Sequence, residues 1–277
     1  MRILATLSHS AKTSAAIGLV AVGLSLPGGA LAPAFAQNND NLIVEADNSL
    51  QWLRDVKKYI ATGKATAQHG NTLLSADVIE ASYVANDNGA NDVDATSITL
   101  IEGRTNARLN QGEFLATADV ITYDLLTEQA TMTGNTPTIS NAGETLTATD
   151  LITYDRASRL LTAKGNAEIT LSNGQILRGT LIKAVLNDDE SDVISVNATG
   201  NTEVFSPAEN GLREAFADSI TYEKATGIAI LTGQVTLKDG GNTMTGDKAE
   251  INTITGSSTM SASSSGKRVG GVFKPAE

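Results

Sequence analysis

The sequence predicts an all-β fold of repeated antiparallel hairpins laid side by side into one long layer that curls over itself. Three observations predict it. Asp119, Ile121, Tyr123 and Gly134 recur as Asp150, Ile152, Tyr154 and Gly165, 31 residues on, and again at the same internal spacing as Asp218, Ile220, Tyr222 and Gly233. Apolar and polar residues alternate with a period of two through these copies, which is the pattern of a strand with one buried and one wet face. Aromatic residues make up only 4% of a chain that is 41% hydrophobic, so a core must be built from Ile, Val, Leu, Ala and Thr, a mixture that suits pleated surfaces.

The N-terminus follows a different logic. Arg2 and Lys12 precede an apolar run from Ala15 to Leu26, and Ala34-Phe35-Ala36 supplies small residues at the positions a signal peptidase reads, so residues 1–36 are expected to be a cleaved signal peptide. The alternative is a retained anchor, but the run is shorter than the ~20 residues needed to span a bilayer. Cleavage removes two of 20 basic residues and none of 31 acidic ones, leaving a net charge of −13. Such a surface repels nucleic-acid phosphates, so no nucleic-acid partner is expected. With no cysteine, stability must come from burial and ladder hydrogen bonds.

Leu42-Ile43-Val44 opens the folded part, expected to run from residue 42 to 260. A degenerate first copy starts at Ala46-Asp47 and closes at Gly63; its Trp52, Leu53, Val56 and Tyr59 also allow a short helical stripe, although Tyr59 to Gly63 ends like the other copies. The second copy runs from Ala76-Asp77 to Gly103 and carries an insertion, 86–94, rich in Asn, Asp and Gly. Its Asp87, Asp92 and Asp94 fit neither an EF-hand spacing nor a nonapeptide calcium repeat. Two clear copies follow. A blurred fifth ends at Gly200 with the acidic turn Asn187-Asp188-Asp189-Glu190 at its centre, the sixth ends at Gly233, and a truncated seventh starts at Asp247. Residues 261–277 are expected to be a flexible Ser-rich and basic tail.

Alignment on Gly63, Gly103, Gly134, Gly165, Gly200 and Gly233 places Ala61, Ile101, Met132, Ala163, Ala198 and Leu231 two residues before, and Thr62, Glu102, Thr133, Lys164, Thr199 and Thr232 one before. The alternation puts the glycine on the buried face, where its recurrence marks a bend, a bulge or a close approach. Ile121 and Tyr123, Ile152 and Tyr154, and Ile220 and Tyr222 share the inner face, while Thr122 points outward. The recurring aspartate (Asp47, Asp77, Asp119, Asp150, Asp218, Asp247) is read as a turn or strand-start residue. Asp124 to Glu128 and Asp155 to Arg159 are of hairpin-turn length.

The inner face is slim, mostly Ala, Gly and Thr near the glycines. Two readings stay open: an interior that houses narrow apolar guests, or a thin sandwich whose small residues let two layers approach closely. Catalytic signatures are missing. After cleavage His69 is the single histidine, there is no cysteine, no Gly-x-Ser-x-Gly elbow, and no phosphate-binding or dinucleotide fingerprint, so no enzyme activity, no metal and no cofactor is expected.

The pattern Ala-Asp-x-Ile-x-Tyr, a short turn, then alternation into a glycine, in an exported, acidic, cysteine-free chain, resembles the OstA-like family of lipopolysaccharide-transport proteins. The resemblance covers Leu42 to about Met260 and departs in the insertion of the second copy, the blurred fifth copy and the tail. It implies a twisted, partly open β-jellyroll in the periplasm that receives lipid A acyl chains, pairs end to end with LptC-like and LptD-like proteins or head to tail with copies of itself, and so bridges the two membranes. The interior-facing residues expected to line such a groove are Ile101, Ile121, Tyr123, Met132, Ile152, Tyr154, Ile169, Ile220, Tyr222, Leu231, Val235 and Leu237. Arg104 and Lys64 are candidates for headgroup contacts, with solvated outer-face charges as the alternative. Rival readings are an LptC-like or LptD N-terminal-like relative, a β-solenoid adhesin or polysaccharide-binding module, and a calcium-dependent or carboxylate hydrolase.

Overall fold

A computed structural model describes residues 42–85, 96–208, 211–263 and 268–274. The expected signal peptide and the Asp87, Asp92 and Asp94 insertion lie outside the described residues. Eighteen strands are present among those residues: β1 Ile43–Glu45, β2 Ser49–Leu53, β3 Lys58–His69, β4 Thr72–Ala85, β5 Thr96–Gln111, β6 Phe114–Asp124, β7 Gln129–Thr133, β8 Thr138–Asn141 and β9 Glu144–Thr147. They continue as β10 Leu151–Asp155, β11 Leu160–Thr170, β12 Ile176–Leu186, β13 Val193–Ala208, β14 Gly211–Glu223, β15 Ile228–Asp239, β16 Asn242–Asn252, β17 Ser258–Ser261 and β18 Gly270–Val272. The Trp52 to Tyr59 stretch is thus two strands and a turn, as the ending of the first copy suggests, and not a helix.

Every pairing is antiparallel, and each long strand pairs with the next in sequence. Short strands come in couples that occupy one strand position each. β1 and β2 pair with opposite halves of β3, β7 and β8 with opposite halves of β6, and β17 and β18 with opposite halves of β16. The result is one meander in which every strand is bent or broken near its middle.

The bend is where the repeat earns its spacing. In β11 the register slips between Lys164 and Ala167, and in β15 between Thr232 and Val235, so two residues oppose one on the partner strand. Those two are Gly165-Asn166 (φ 84° and 40°) and Gly233-Gln234 (φ 78° and 48°), both in the left-handed region. A Cβ on Gly233 would lie 2.6 Å from Asp218 Cγ and 2.8 Å from Asp218 Cβ. Asp150 covers Gly165, Asp119 covers Gly134 and Asn48 covers Gly63 in the same manner. In three copies motif aspartate and motif glycine, 15 residues apart in sequence, are therefore neighbours across the bend, while Asn48 takes the place of Asp47 at Gly63, Thr180 covers Gly200, and Gly103 meets Ala76 and Leu74. At one bend the aspartate also caps the strand break, Asn135 N–H donating to Asp119 Oδ2 at 2.8 Å.

Two sequence expectations change here. The aspartate does not start a strand in β6 and β14, where it sits mid-strand at the bend. The glycine does not lie uniformly on the buried face either: Gly103 and Gly165 are buried, Gly63 and Gly233 half-buried, Gly134 and Gly200 exposed. A left-handed bend rotates the chain out of simple alternation, which a period-two reading cannot anticipate.

Bending folds the meander into two facing layers around one apolar core. The halves end in two rims. One is formed by tight turns at Gly70, Gly112, Ala142-Gly143, Gly174 and Gly240-Gly241, where positive φ values match the hand of two-residue hairpins. The other carries four-residue turns such as 125–128, 156–159 and 224–227, and all five tyrosines lie on the strand halves leading to it. Among the described residues the first strand position pairs with β3 only and the last with β16 only, so the layer stays open: a twisted, partly open β-jellyroll. Of the expected tail, residues 270–272 form β18 on Thr243–Thr245 of β16.

Candidate functional site

The apolar interior is the one continuous feature that every repeat builds. All twelve residues expected to face inward are buried there: Ile101, Ile121, Tyr123, Met132, Ile152, Tyr154, Ile169, Ile220, Tyr222, Leu231, Val235 and Leu237. Both layers contribute, since a strand's two halves face each other. Near the first edge, Leu42 and Val44 of one layer meet Leu50, Tyr59, Ile79 and Ile101 of the other around a small cavity. A second cavity further along is walled by Phe114, Ala116 and Ile139 on one side and Ile121, Met132, Ile152 and Tyr154 on the other.

Each cavity holds about 20 Å³ of free space, room for about one water. Much of the wall is small: Ala61, Ala65, Ala67, Ala107, Ala163 and Ala198 are almost fully buried. The thin-sandwich expectation therefore describes the layers as they stand, and any chain-like guest requires them to part.

Leu42, Val44, Leu50 and Tyr59 escaped the sequence reading because the first copy lacks the Ile and Tyr of its motif. Ile43, Leu50, Trp52 and Val56 are exposed at this edge. Trp52 is held in place by its Nε1–H donating to Tyr83 Oη at 2.8 Å and by stacking on Tyr59, with Arg54 over its ring at 3.9 Å.

Charge is arranged outside. Arg104 pairs with Glu102 and lies 3.7 Å from Glu80, and Lys64, largely exposed, is 3.8 Å from Asp47. These are outer-face ion pairs, the plainer of the two expectations for those residues. Arg178 donates to Glu168 at 2.6 Å and covers Phe205, and this ion pair raises the guanidinium pKa.

Polar side chains are buried at both rims, and on the tyrosine rim they centre on one turn. The turn 187–192 has six residues between strands where its neighbours 156–159 and 224–227 have four. It folds inward and buries Glu190, which accepts from Arg156 Nε at 2.9 Å. Arg159 pairs with Asp188 and Lys224 with Asp192, tying the turn to the tips on both sides. Burial raises the pKa of the Tyr154 hydroxyl, and the Glu190 charge it faces raises it further; Tyr123 is raised by burial and then by Glu128. From the opposite rim Glu144 is buried, and that burial raises its carboxyl, opposed by a Ser172 backbone donor and reinforced by the charge of Asp192. Sequence reading missed these residues as a site, although the acidic turn in the blurred fifth copy was their signal. Among the described residues no group of acids and histidines is arranged to hold a metal ion.

A sequence model described as LptA/(LptD N-terminal domain) LPS transport protein matches residues 44–158 and 182–257, well over half of the chain. No curated protein sequence matches. Among solved structures, the crystal structure of LptH, the LptA-homologous periplasmic component of the lipopolysaccharide transport device of Pseudomonas aeruginosa, is 18% identical, with a TM-score of 0.42 over 48% of this chain and 95% of that one.

Proposed function

Since the chain belongs to the LptA/(LptD N-terminal domain) family of LPS transport proteins, we propose that it is an LptA-like periplasmic carrier that shields lipid A acyl chains between its two layers. The observation that supports this most is the predominantly apolar, small-walled interior to which every repeat contributes. The energetics are sufficient without chemistry: at ~0.8 kcal/mol per buried methylene, a chain of ~12 carbons gains on the order of 8–10 kcal/mol on leaving water. That gain must exceed the work of parting the layers. With a net charge of −13 after loss of residues 1–36, affinity comes from the chains and not from the phosphates. The carrier performs no catalytic step.

The unpaired edges at β1/β2 and β17/β18 are suited to strand addition by LptC-like and LptD-like partners or by a second copy. The exposed Ile43, Leu50 and Trp52 at the first edge would be covered on such pairing.

Photocrosslinking in cells tests the carrier reading. Crosslinkers at Ile152, Leu231 and Leu237 should capture lipopolysaccharide, and those at the outward Thr122 and Lys164 should not. Equal capture from both faces would sink the proposal.

A further inference from the structure

We propose that the first end of the interior is a subsite for one acyl chain of an anionic amphiphile, with Leu50 and Trp52 as its apolar wall and Arg54 as the contact for the anionic head. The inference rests on the carrier reading and adds the place where a chain arriving from a neighbouring module first seats.

The first copy carries the repeat in altered letters. Asn48, Leu50, Trp52 and Gly63 stand at the spacing of Asp119, Ile121, Tyr123 and Gly134, and Asn48 covers Gly63 as Asp119 covers Gly134. Leu50 and Trp52 pair with Ala61 and Tyr59 and so take the inward places of β2. The matching Ile121 and Tyr123 are 6% and 4% exposed, because β6 has strands on both sides. Among the described residues β2 is paired on one side only, and Leu50 and Trp52 are left 60% and 45% exposed. A wall built for the interior thus opens to water at this end, beside the cavity lined by Leu42, Val44, Leu50 and Tyr59. At the other end the inward places of β17 carry Ser258 and Met260, so the two ends are not alike.

Two further features fit a chain with a charged head. Trp52 is pre-set: its Nε1–H donates to Tyr83 Oη at 2.8 Å and its ring stacks on Tyr59 at 5.7 Å, so its polar edge is satisfied and what it shows to water is apolar. Arg54, exposed, holds its guanidinium 3.9 Å from the centre of that ring. Arg104, Arg156, Arg159, Arg178 and Arg213 each pair with an acid, whereas Arg54 pairs with none among the described residues. An uncompensated guanidinium beside an exposed apolar wall is complementary to an amphiphile, the tail lying against Leu50 and Trp52 and a phosphate or carboxylate meeting Arg54. A partner strand added to β2 takes its backbone edge and continues the wall, so the subsite sits at the joint that a chain crosses between modules.

Trp52 is the chain's one tryptophan, so its fluorescence reports on this subsite alone. In the chain lacking residues 1–36, 9,10-dibromostearate should quench Trp52 saturably, and stearate should compete the quenching away. Leu50→Asp should abolish the quenching, and Gln51→Asp, on the outward face of the same strand, should leave it intact. Arg54→Ala should weaken binding of dibromostearate about threefold and leave that of 9,10-dibromooctadecanol unchanged. Uptake of cis-parinaric acid, read by its own fluorescence, reports on the interior as a whole. Uptake of that probe without saturable quenching of Trp52, or quenching that survives Leu50→Asp, overturns the subsite and leaves the carrier reading standing. Equal weakening of the carboxylate and the alcohol by Arg54→Ala overturns the head contact. A Trp52 signal that shifts with protein concentration in the absence of lipid gives the exposed face to a second copy and overturns the subsite. Absence of both uptake and quenching overturns the subsite and the carrier reading together.

Discussion

Gly233→Ala tests the account of the bend most directly. Two contributions add. A residue with a side chain held at φ 78° loses roughly 1–2 kcal/mol relative to glycine. The new Cβ would also stand 2.6 Å from Asp218 Cγ and 2.8 Å from Asp218 Cβ. The carboxylate can swing away, but Cβ is fixed to the backbone of β14, so the strand itself must shift, an overpacking cost of about 1–3 kcal/mol. The expected loss is about 3 kcal/mol, seen as a lower urea midpoint with an unchanged slope. Gly240→Ala is the internal control. It has φ 53° but nothing within 4 Å of its added Cβ, so only the conformational loss of about 1 kcal/mol remains. In the double variant D218G/G233A the space vacated by Asp218 accepts the new methyl group, and the double should be less destabilised than the sum of the singles by at least ~1 kcal/mol. Gly233→Ala costing no more than Gly240→Ala, or a double variant that is additive, would refute the packing of aspartate on glycine as the reason for their 15-residue spacing.

Leu237 is fully buried, and Leu237→Ala should lower stability by about 2–5 kcal/mol by urea denaturation. Arg156→Ala leaves Glu190 buried without its donor and should cost about 2–3 kcal/mol, with R156A/E190Q recovering most of it because the uncompensated charge is gone. Glu144 supplies the pH dependence. Its carboxyl is raised above the ordinary value of 4.5 chiefly by burial, so between that value and the raised one the folded chain binds more protons than the unfolded chain. Stability attributable to this group is therefore present at low pH and falls as pH rises through the window. Glu144→Gln should be more stable than the parent at pH 7, and the difference should vanish once the pH falls below the ordinary carboxyl value; thermal melts at both pH values give the answer.

Most of the wall was legible because alternation is a local property. Ile121, Tyr123 and Met132 face inward for the same reason that Thr122 and Thr133 do not, and no knowledge of the partner strand is needed to see it. The bend was legible only as a recurrence. The glycine at a fixed place announced a bend, bulge or close approach, and the structure has all three, but the identity of the approaching group depends on register between strands. Asp218 and Gly233 are 15 residues apart, and only the pairing Ser219 with Thr232 makes them neighbours. Read one strand at a time, the aspartate looks like the start of a strand. Glu190 was hidden for a related reason: an acidic turn normally points to solvent, and only two extra residues, with Arg156 34 positions away to receive the carboxylate, turn this one inward.

The placement of the aspartate over the glycine also decides what kind of interior the repeats make. A bend set by local sequence in each strand independently would wander from strand to strand, and the two layers would cross instead of facing. Because each covering Asp or Asn lies 15 residues before its glycine, on the neighbouring strand position, the bend at one position fixes the level of the bend at the next, at Asn48–Gly63, Asp119–Gly134, Asp150–Gly165 and Asp218–Gly233. The bends then line up from one strand position to the next, ~4.8 Å apart, so that the two layers face each other along the ladder direction. On the proposed carrier reading, an apolar chain between the layers would lie across several strands at once and meet a similar wall at each, so that no position would bind it far better than the next. Small wall residues would keep that grip weak and even, as the proposed reading requires of a conduit. An interruption in that evenness therefore stands out, and the polar cluster around Glu190 is where the repeat is broken.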